Sequence, residues 1–179
     1  MIINKLLKYN FTNNFYNLTK RSIVTNYKTL VEMQEKSCLK HADRPLFGNN
    51  LEETKWVTYR EWGQNINTFR TVLNNFSIGK GDRVSIISNN CQEWAVSAYA
   101  TYSLGGIFVP MYQNQTEKDW KFILEDSSSK ILICTDKDVY NKCKIYLECL
   151  KNMVSIIYLN NNYDFFYDEI KFGNTLKLK

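Results

Sequence analysis

Two hydrophobic periods alternate between Tyr59 and Leu159, and this alternation constrains the fold more than any other feature. Apolar residues from Tyr59 to Phe76 recur at three- and four-residue spacing, which predicts a helix with one apolar stripe. Four short apolar runs bounded by turn residues predict strands: RVSIIS, IFVP, KILICT and MVSIIYL. Three further predicted helices lie between them: CQEWAVSAYATYSL, EKDWKFILEDS and KDVYNKCKIYLECL. Strands that alternate with helices predict an α/β fold, with helices on both faces of a mostly parallel sheet.

The predicted helix starts carry a recognisable signature. In each, a cap residue is followed three positions later by an acid: Thr58/Glu61, Asn90/Glu93, Thr116/Asp119 and Thr135/Asp138. A side-chain oxygen at the cap accepts a hydrogen bond from an unpaired N–H of the first turn, and the acid bonds back to the cap. We therefore expect four helices that begin at Thr58, Asn90, Thr116 and Thr135.

The net positive charge of the chain comes from its first 31 residues. This leader contains five of the 23 basic residues and no acid, and the rest carries 18 basic and 18 acidic residues. Ile2, Ile3, Leu6 and Leu7 share one side of a helical wheel, as in a mitochondrial transit peptide. We expect a mitochondrial protein, with a disordered leader on a cytoplasmic protein as the alternative.

The body of the chain offers little support for several classes of protein. It has no basic face that would neutralise nucleic-acid phosphates, and no apolar run long enough for a membrane span. His41 is the one histidine, so a catalytic triad or a multi-histidine metal site is not expected. The five cysteines show no CxxC spacing, which favours reduced thiols, with Cys134 in the core.

Some local patterns resemble nucleotide-binding or catalytic motifs. Gly79, Lys80 and Gly81 suggest a phosphate loop, but Asp82 follows and the segment precedes a strand, whereas a phosphate loop follows one. We therefore interpret Gly79–Asp82 as a turn. Three acid pairs could serve as general acid and base, but loops and helix starts explain them better: Glu52/Glu53, Asp136/Asp138 and Asp164/Asp168. Trp94, Tyr99, Tyr102, Trp120 and Phe122 are interpreted as core residues.

The ordered series HADRPLFG, TYREW, GKGDRVSIISNN, EWAV, GGIFVPMY, EKDWKFILEDS and KILICTD resembles the N-terminal part of an AMP-forming acyl-CoA synthetase. The resemblance covers about residues 38 to 172, and VPMYQNQTEKDW is most similar to the eukaryotic long-chain fatty acid branch. It implies the first subdomain of an adenylate-forming enzyme. Complete relatives join a fatty acid to ATP, release pyrophosphate and transfer the acyl group to coenzyme A, with magnesium assisting.

The same resemblance assigns no catalytic, cofactor-binding or metal-binding residue to this chain. The family's phosphate loop, acidic nucleotide-binding motifs and C-terminal lysine match no position here; Ser127–Lys130 lacks glycines and precedes a strand. Gly79 to Asp82 match the family as a structural turn, and Pro110 and Tyr112 match it as the end of a strand.

We therefore expect three segments: a leader (1–31), the N-terminal portion of an AMP-binding domain (32–172) and a tail (173–179). The expected function is that of a fragment of a long-chain fatty acid–CoA ligase, inactive alone and associated with the remainder of the enzyme. In that case fatty acid, ATP, coenzyme A and magnesium bind only to the complete enzyme. The alternative is a non-catalytic interaction module derived from such an enzyme.

Overall fold

The computed structural model describes residues 27–48, 55–159, 165–169 and 176–177, with the backbone alone for the last two ranges. Six helices occur in this part: α1 (Leu30–Lys40), α2 (Tyr59–Asn75), α3 (Gln92–Ser103), α4 (Glu117–Ser127), α5 (Lys137–Cys143) and α6 (Tyr146–Cys149). Eight strands accompany them: β1 (Pro45–Gly48), β2 (Trp56–Thr58), β3 (Arg83–Ile87), β4 (Ile107–Met111), β5 (Ile131–Cys134), β6 (Ser155–Leu159), β7 (Phe165–Glu169) and β8 (Leu176–Lys177).

The strands form two sheets. β1 and β2 make a small antiparallel pair, and the main sheet has the order β4-β3-β5-β6-β7-β8. The first four strands of this order are mutually parallel, whereas β7 and β8 are added antiparallel. The predicted α/β fold with a mostly parallel sheet is confirmed. Neither β7 nor β8 was predicted from the sequence.

Helices cover both faces of the parallel strands, as predicted. Along each strand, successive side chains point to opposite faces. Ile86, Ile133 and Ile157 belong to one buried cluster, which they share with α2 and α3. The adjacent side chains Ile87, Leu132 and Ile156 belong to a second cluster, with α4, α5 and α6. Both faces are therefore apolar, which explains why β5 is buried at every position.

Two of the four predicted helix caps are confirmed. The hydroxyl oxygen of Thr58 accepts a hydrogen bond from the Glu61 N–H, and the Glu61 carboxylate accepts one from the Thr58 N–H. Thr116 and Asp119 make the same reciprocal pair at the start of α4. Each pair satisfies two donors that the helix itself leaves unpaired.

The other two predicted caps are wrong by one residue. α3 is preceded by Cys91 rather than Asn90. α5 is preceded by Asp136 rather than Thr135, because Oδ1 of Asp136 accepts bonds from two backbone N–H groups at 2.9 Å. The single helix predicted over 137–150 is instead two, α5 and α6. They are separated at Lys144 and Ile145, where the backbone bonds tighten to three-residue spacing.

The interpretation of the aromatic residues as core is wrong for Phe122. Trp120 on α4 is 3% exposed, whereas Phe122 is 66% exposed. Two residues along a helix turn the side chain by about 200°, so the burial of Trp120 places Phe122 on the solvent side. Tyr102 is also partly exposed, at the C-terminal end of α3.

The turn at Gly79–Asp82 joins three strands at their amino ends. The Gly81 N–H donates to the Gly105 carbonyl, and the Ile107 N–H donates to the Asp82 carbonyl at 2.7 Å. The Asp82 carboxylate accepts from the Gly79 N–H and forms an ion pair of 2.6 Å with Lys130, directly before β5. Gly81 has φ +83°, a conformation that favours glycine. This segment is therefore a structural turn, as predicted.

In the described part of the chain, no helix combines the length and the apolar character that crossing a membrane requires.

Gly106, directly before β4, offers a test of the packing at the amino ends of the strands. A Cβ there would lie 2.9 Å from the Thr101 methyl group and 3.2 Å from the Asp82 carbonyl oxygen. We expect Gly106→Ala to lower the free energy of unfolding by about 1–3 kcal/mol through overpacking, measured by urea denaturation. Gly79→Ala is the matched control, since its Cβ would meet nothing within 4 Å. Equal losses in the two variants would contradict this packing.

The pair between Asp82 and Lys130 predicts a dependence of stability on pH. The hydrogen bond from Lys130 is the main cause that lowers the pKa of Asp82. A lowered folded-state pKa stabilises the protein above the usual carboxyl range, and this stabilisation is lost as the pH falls through the folded pKa. Asp82→Asn should therefore cost about 1 kcal/mol at neutral pH, a value discounted for the partial exposure of Lys130.

The difference between wild type and Asp82→Asn should shrink below about pH 4, in urea titrations at several pH values. Asp43→Asn is the control, because Asp43 pairs with Arg60 but is 86% exposed. A loss for Asp43→Asn as large as that for Asp82→Asn would contradict a special role for the partly buried pair.

Candidate functional site

The order of the parallel strands singles out one position on the sheet edge. From β3 the chain passes through α3 to β4 on one side, and then crosses back through α4 to β5 on the other side of β3. Connections from β3 and β5 thus leave in opposite directions. In open α/β sheets, ligands bind outside the carboxyl ends of the strands at this kind of switch point. The residues that follow β3 and β5 are therefore the candidate site.

A hydroxyl contact bridges the two strand ends. Ser88 follows β3 and is 4% exposed, and its Oγ lies 2.7 Å from Oγ1 of Thr135, which follows β5. The same Oγ lies 2.6 Å from the Asn89 carbonyl oxygen and 3.3 Å from Sγ of Cys91. The Ser88 N–H donates to the carbonyl of Met111, the last residue of β4. Ser88 thus connects three adjacent strands at their carboxyl ends.

Cys91 is part of this cluster but is not an activated nucleophile. Burial is the main cause that raises the pKa of its thiol, the hydrogen bond with Ser88 opposes the shift, and the nearby Glu93 carboxylate adds to it. A thiol with a raised pKa stays protonated at neutral pH, and the protonated form is a weak nucleophile. Cys91 therefore serves as a polar contact at the start of α3.

Two neighbouring polar groups complete the buried part of the site. Glu93 is 5% exposed, in the first turn of α3, where a carboxylate is favoured by the helix dipole. Nε2 of Gln92 is buried and has no hydrogen-bond partner among the described residues. The carboxyl edge thus combines hydroxyl, thiol, amide and carboxylate groups at the end of a mostly apolar sheet.

Tyr112 is fixed in place at the rim. It follows β4, and its N–H donates to Oε1 of Gln115 while its carbonyl accepts from Nε1 of Trp120 at 3.0 Å. Its side chain is nevertheless 76% exposed. An aromatic ring carried on an anchored backbone can contact a ligand with little loss of conformational entropy.

Several residues weighed from the sequence lie elsewhere. The Gly79–Asp82 turn is at the amino edge of the sheet, opposite the candidate site. His41 follows α1, and its ring centroid lies 5.7 Å from that of Tyr59. Asp136 is the N-cap of α5, which explains one acid pair. Glu52, Glu53 and Asp164 lie outside the described residues, and the side chain of Asp168 is not described.

The sequence did not single out Ser88, and it indicated Thr135 only as a helix cap. Each is the small polar residue at the end of a predicted strand, RVSIIS or KILICT, which is a weak signal by itself. Only the strand order shows that β3 and β5 are neighbours. Within the described part of the chain, no group of three or more His, Cys, Asp or Glu side chains is placed to hold a metal ion.

Comparisons with known proteins agree with this fold. The model of the family "AMP-binding enzyme" matches residues 34–169. A long-chain-fatty-acid–CoA ligase of Mycobacterium tuberculosis is 34% identical over 77 residues, which are 43% of this chain and 15% of that protein. Fatty acyl-CoA synthetase A of Dictyostelium discoideum is 26% identical over 101 residues, which are 56% of this chain and 15% of that protein.

A solved structure shows the same fold. The anthranilate CoA ligase crystallised with anthranoyl-AMP superposes with a TM-score of 0.64 at 18% identity, and the match covers 70% of this chain and 24% of that one. The chain thus spans about a quarter of this solved relative, and its matches span 15% of each of the two curated relatives.

The burial of the thiols predicts an order of chemical modification. Cys149 is exposed, Cys91 is half-buried with a raised pKa, and Cys134 and Cys143 are buried. At neutral pH, iodoacetamide should modify Cys149 first, Cys91 more slowly, and Cys134 and Cys143 last, as followed by peptide mass spectrometry. In 6 M guanidinium chloride, the control, the rates should converge. Native-state modification of Cys91 as fast as that of Cys149 would contradict its protonated, enclosed state.

Proposed function

Since the chain belongs to the AMP-binding enzyme family, we propose that it forms the N-terminal part of an acyl-CoA ligase of the long-chain fatty acid branch. The observation that carries this proposal is the family match over residues 34–169, together with the first subdomain's α/β fold. Two of the curated relatives have names that specify fatty acyl or long-chain fatty acid substrates, which supports the choice of branch.

In the proposed complete enzyme, the described residues contribute one wall of a larger site. ATP would supply the adenylyl group and release pyrophosphate, coenzyme A would supply the thiol acceptor, and magnesium would offset phosphate charge. Ser88 and Thr135 hold the ends of β3 and β5 together, and the exposed Tyr112 follows β4, the strand that pairs with β3. The chain's own role in this proposal is to position a ligand at the carboxyl edge.

Catalysis in this proposal needs residues beyond those matched here. The matched regions span 15% of the curated ligases, and no position of the sequence matches the family's phosphate loop. Apolar side chains that a larger domain would cover are exposed, with Ile107 on β4 at 51% and Ile145, directly before α6, at 56%. These exposed side chains favour association with further parts of a ligase over an independent, non-catalytic module.

We also propose a subcellular location for the protein. A mitochondrial protein is proposed from the basic, acid-free leader over residues 1–31, of which residues 1–26 lie outside the described part of the chain.

Activity can be tested with the chain and a chimera. The purified 179-residue chain should give no ATP–pyrophosphate exchange with palmitate. A chimera that carries residues 34–169 in place of the corresponding segment of the Mycobacterium tuberculosis ligase should exchange pyrophosphate and form palmitoyl-CoA. The unaltered ligase is the control for activity, and circular dichroism controls for folding.

Two outcomes would overturn parts of this proposal. Exchange by the purified chain alone would show that it contains a complete adenylation site. A folded chimera that activates an aromatic or short-chain acid in preference to palmitate would refute the long-chain assignment and leave the family membership intact.

The rim position of Tyr112 gives a further prediction in the same chimera. If the carboxyl edge contacts a ligand, Tyr112→Ala should lower kcat/KM by about tenfold, the loss of roughly 1.4 kcal/mol of aromatic contact. Phe122→Ala is the matched control, an aromatic residue of similar exposure on the solvent side of α4, and it should leave kcat/KM unchanged. Equal effects of the two substitutions would contradict a ligand contact at Tyr112.

A further inference from the structure

We draw no further inference here: the strongest candidate, the partly buried cluster of Ser88, Cys91, Glu93 and Thr135 at the carboxyl ends of β3 and β5, belongs to the site already described, and nothing in the described part of the chain shows a second ligand for it.

Discussion

The carboxylate of Asp82 organises the amino edge of the sheet, where β3, β4 and β5 begin. It closes the turn after α2 through the Gly79 N–H and reaches β5 through the ion pair with Lys130. The next residue, Arg83, donates to the carbonyls of Ser127 and Ser128 at the end of α4, where a cation is favoured. One short segment therefore fixes the positions of β3, β5 and α4 relative to one another along the strand direction.

Fixing the amino ends also fixes the carboxyl ends, because β3 and β5 are short and paired in register. The register places Ile87 beside Cys134, so Ser88 and Thr135 emerge next to each other. Their hydroxyl groups can then bond at 2.7 Å while most of the surrounding sheet is apolar. A buried hydroxyl without a partner would cost free energy, so the pair both satisfies and positions the two residues. Structural and candidate functional residues thus occupy opposite edges of one sheet.

This separation explains the role of GKGD in the sequence. Glycine and lysine before a helix suggest a phosphate loop, but here the segment precedes a strand and lies at the edge away from the switch point. GKGD is therefore part of the scaffold, and the family membership rests on the match over residues 34–169. The proposed ligase activity needs residues beyond the matched 34–169 segment, which fits the small share of each relative that the chain spans.

The sequence by itself determined the alternation of strands and helices, two of the four caps and the structural nature of the Gly79–Asp82 turn. These features depend on residues close together in the chain, such as Thr58 with Glu61. Prediction from the sequence failed where two adjacent residues could both cap a helix, because Asp136 and not Thr135 caps α5. It also failed where the face of the helix that packs on the sheet decides exposure, as for Phe122. Only the tertiary structure decided which strands are adjacent, because pairing between β3 and β5 spans more than 40 residues and depends on how both apolar faces are covered. The site at Ser88 and Thr135 exists only once that pairing is made.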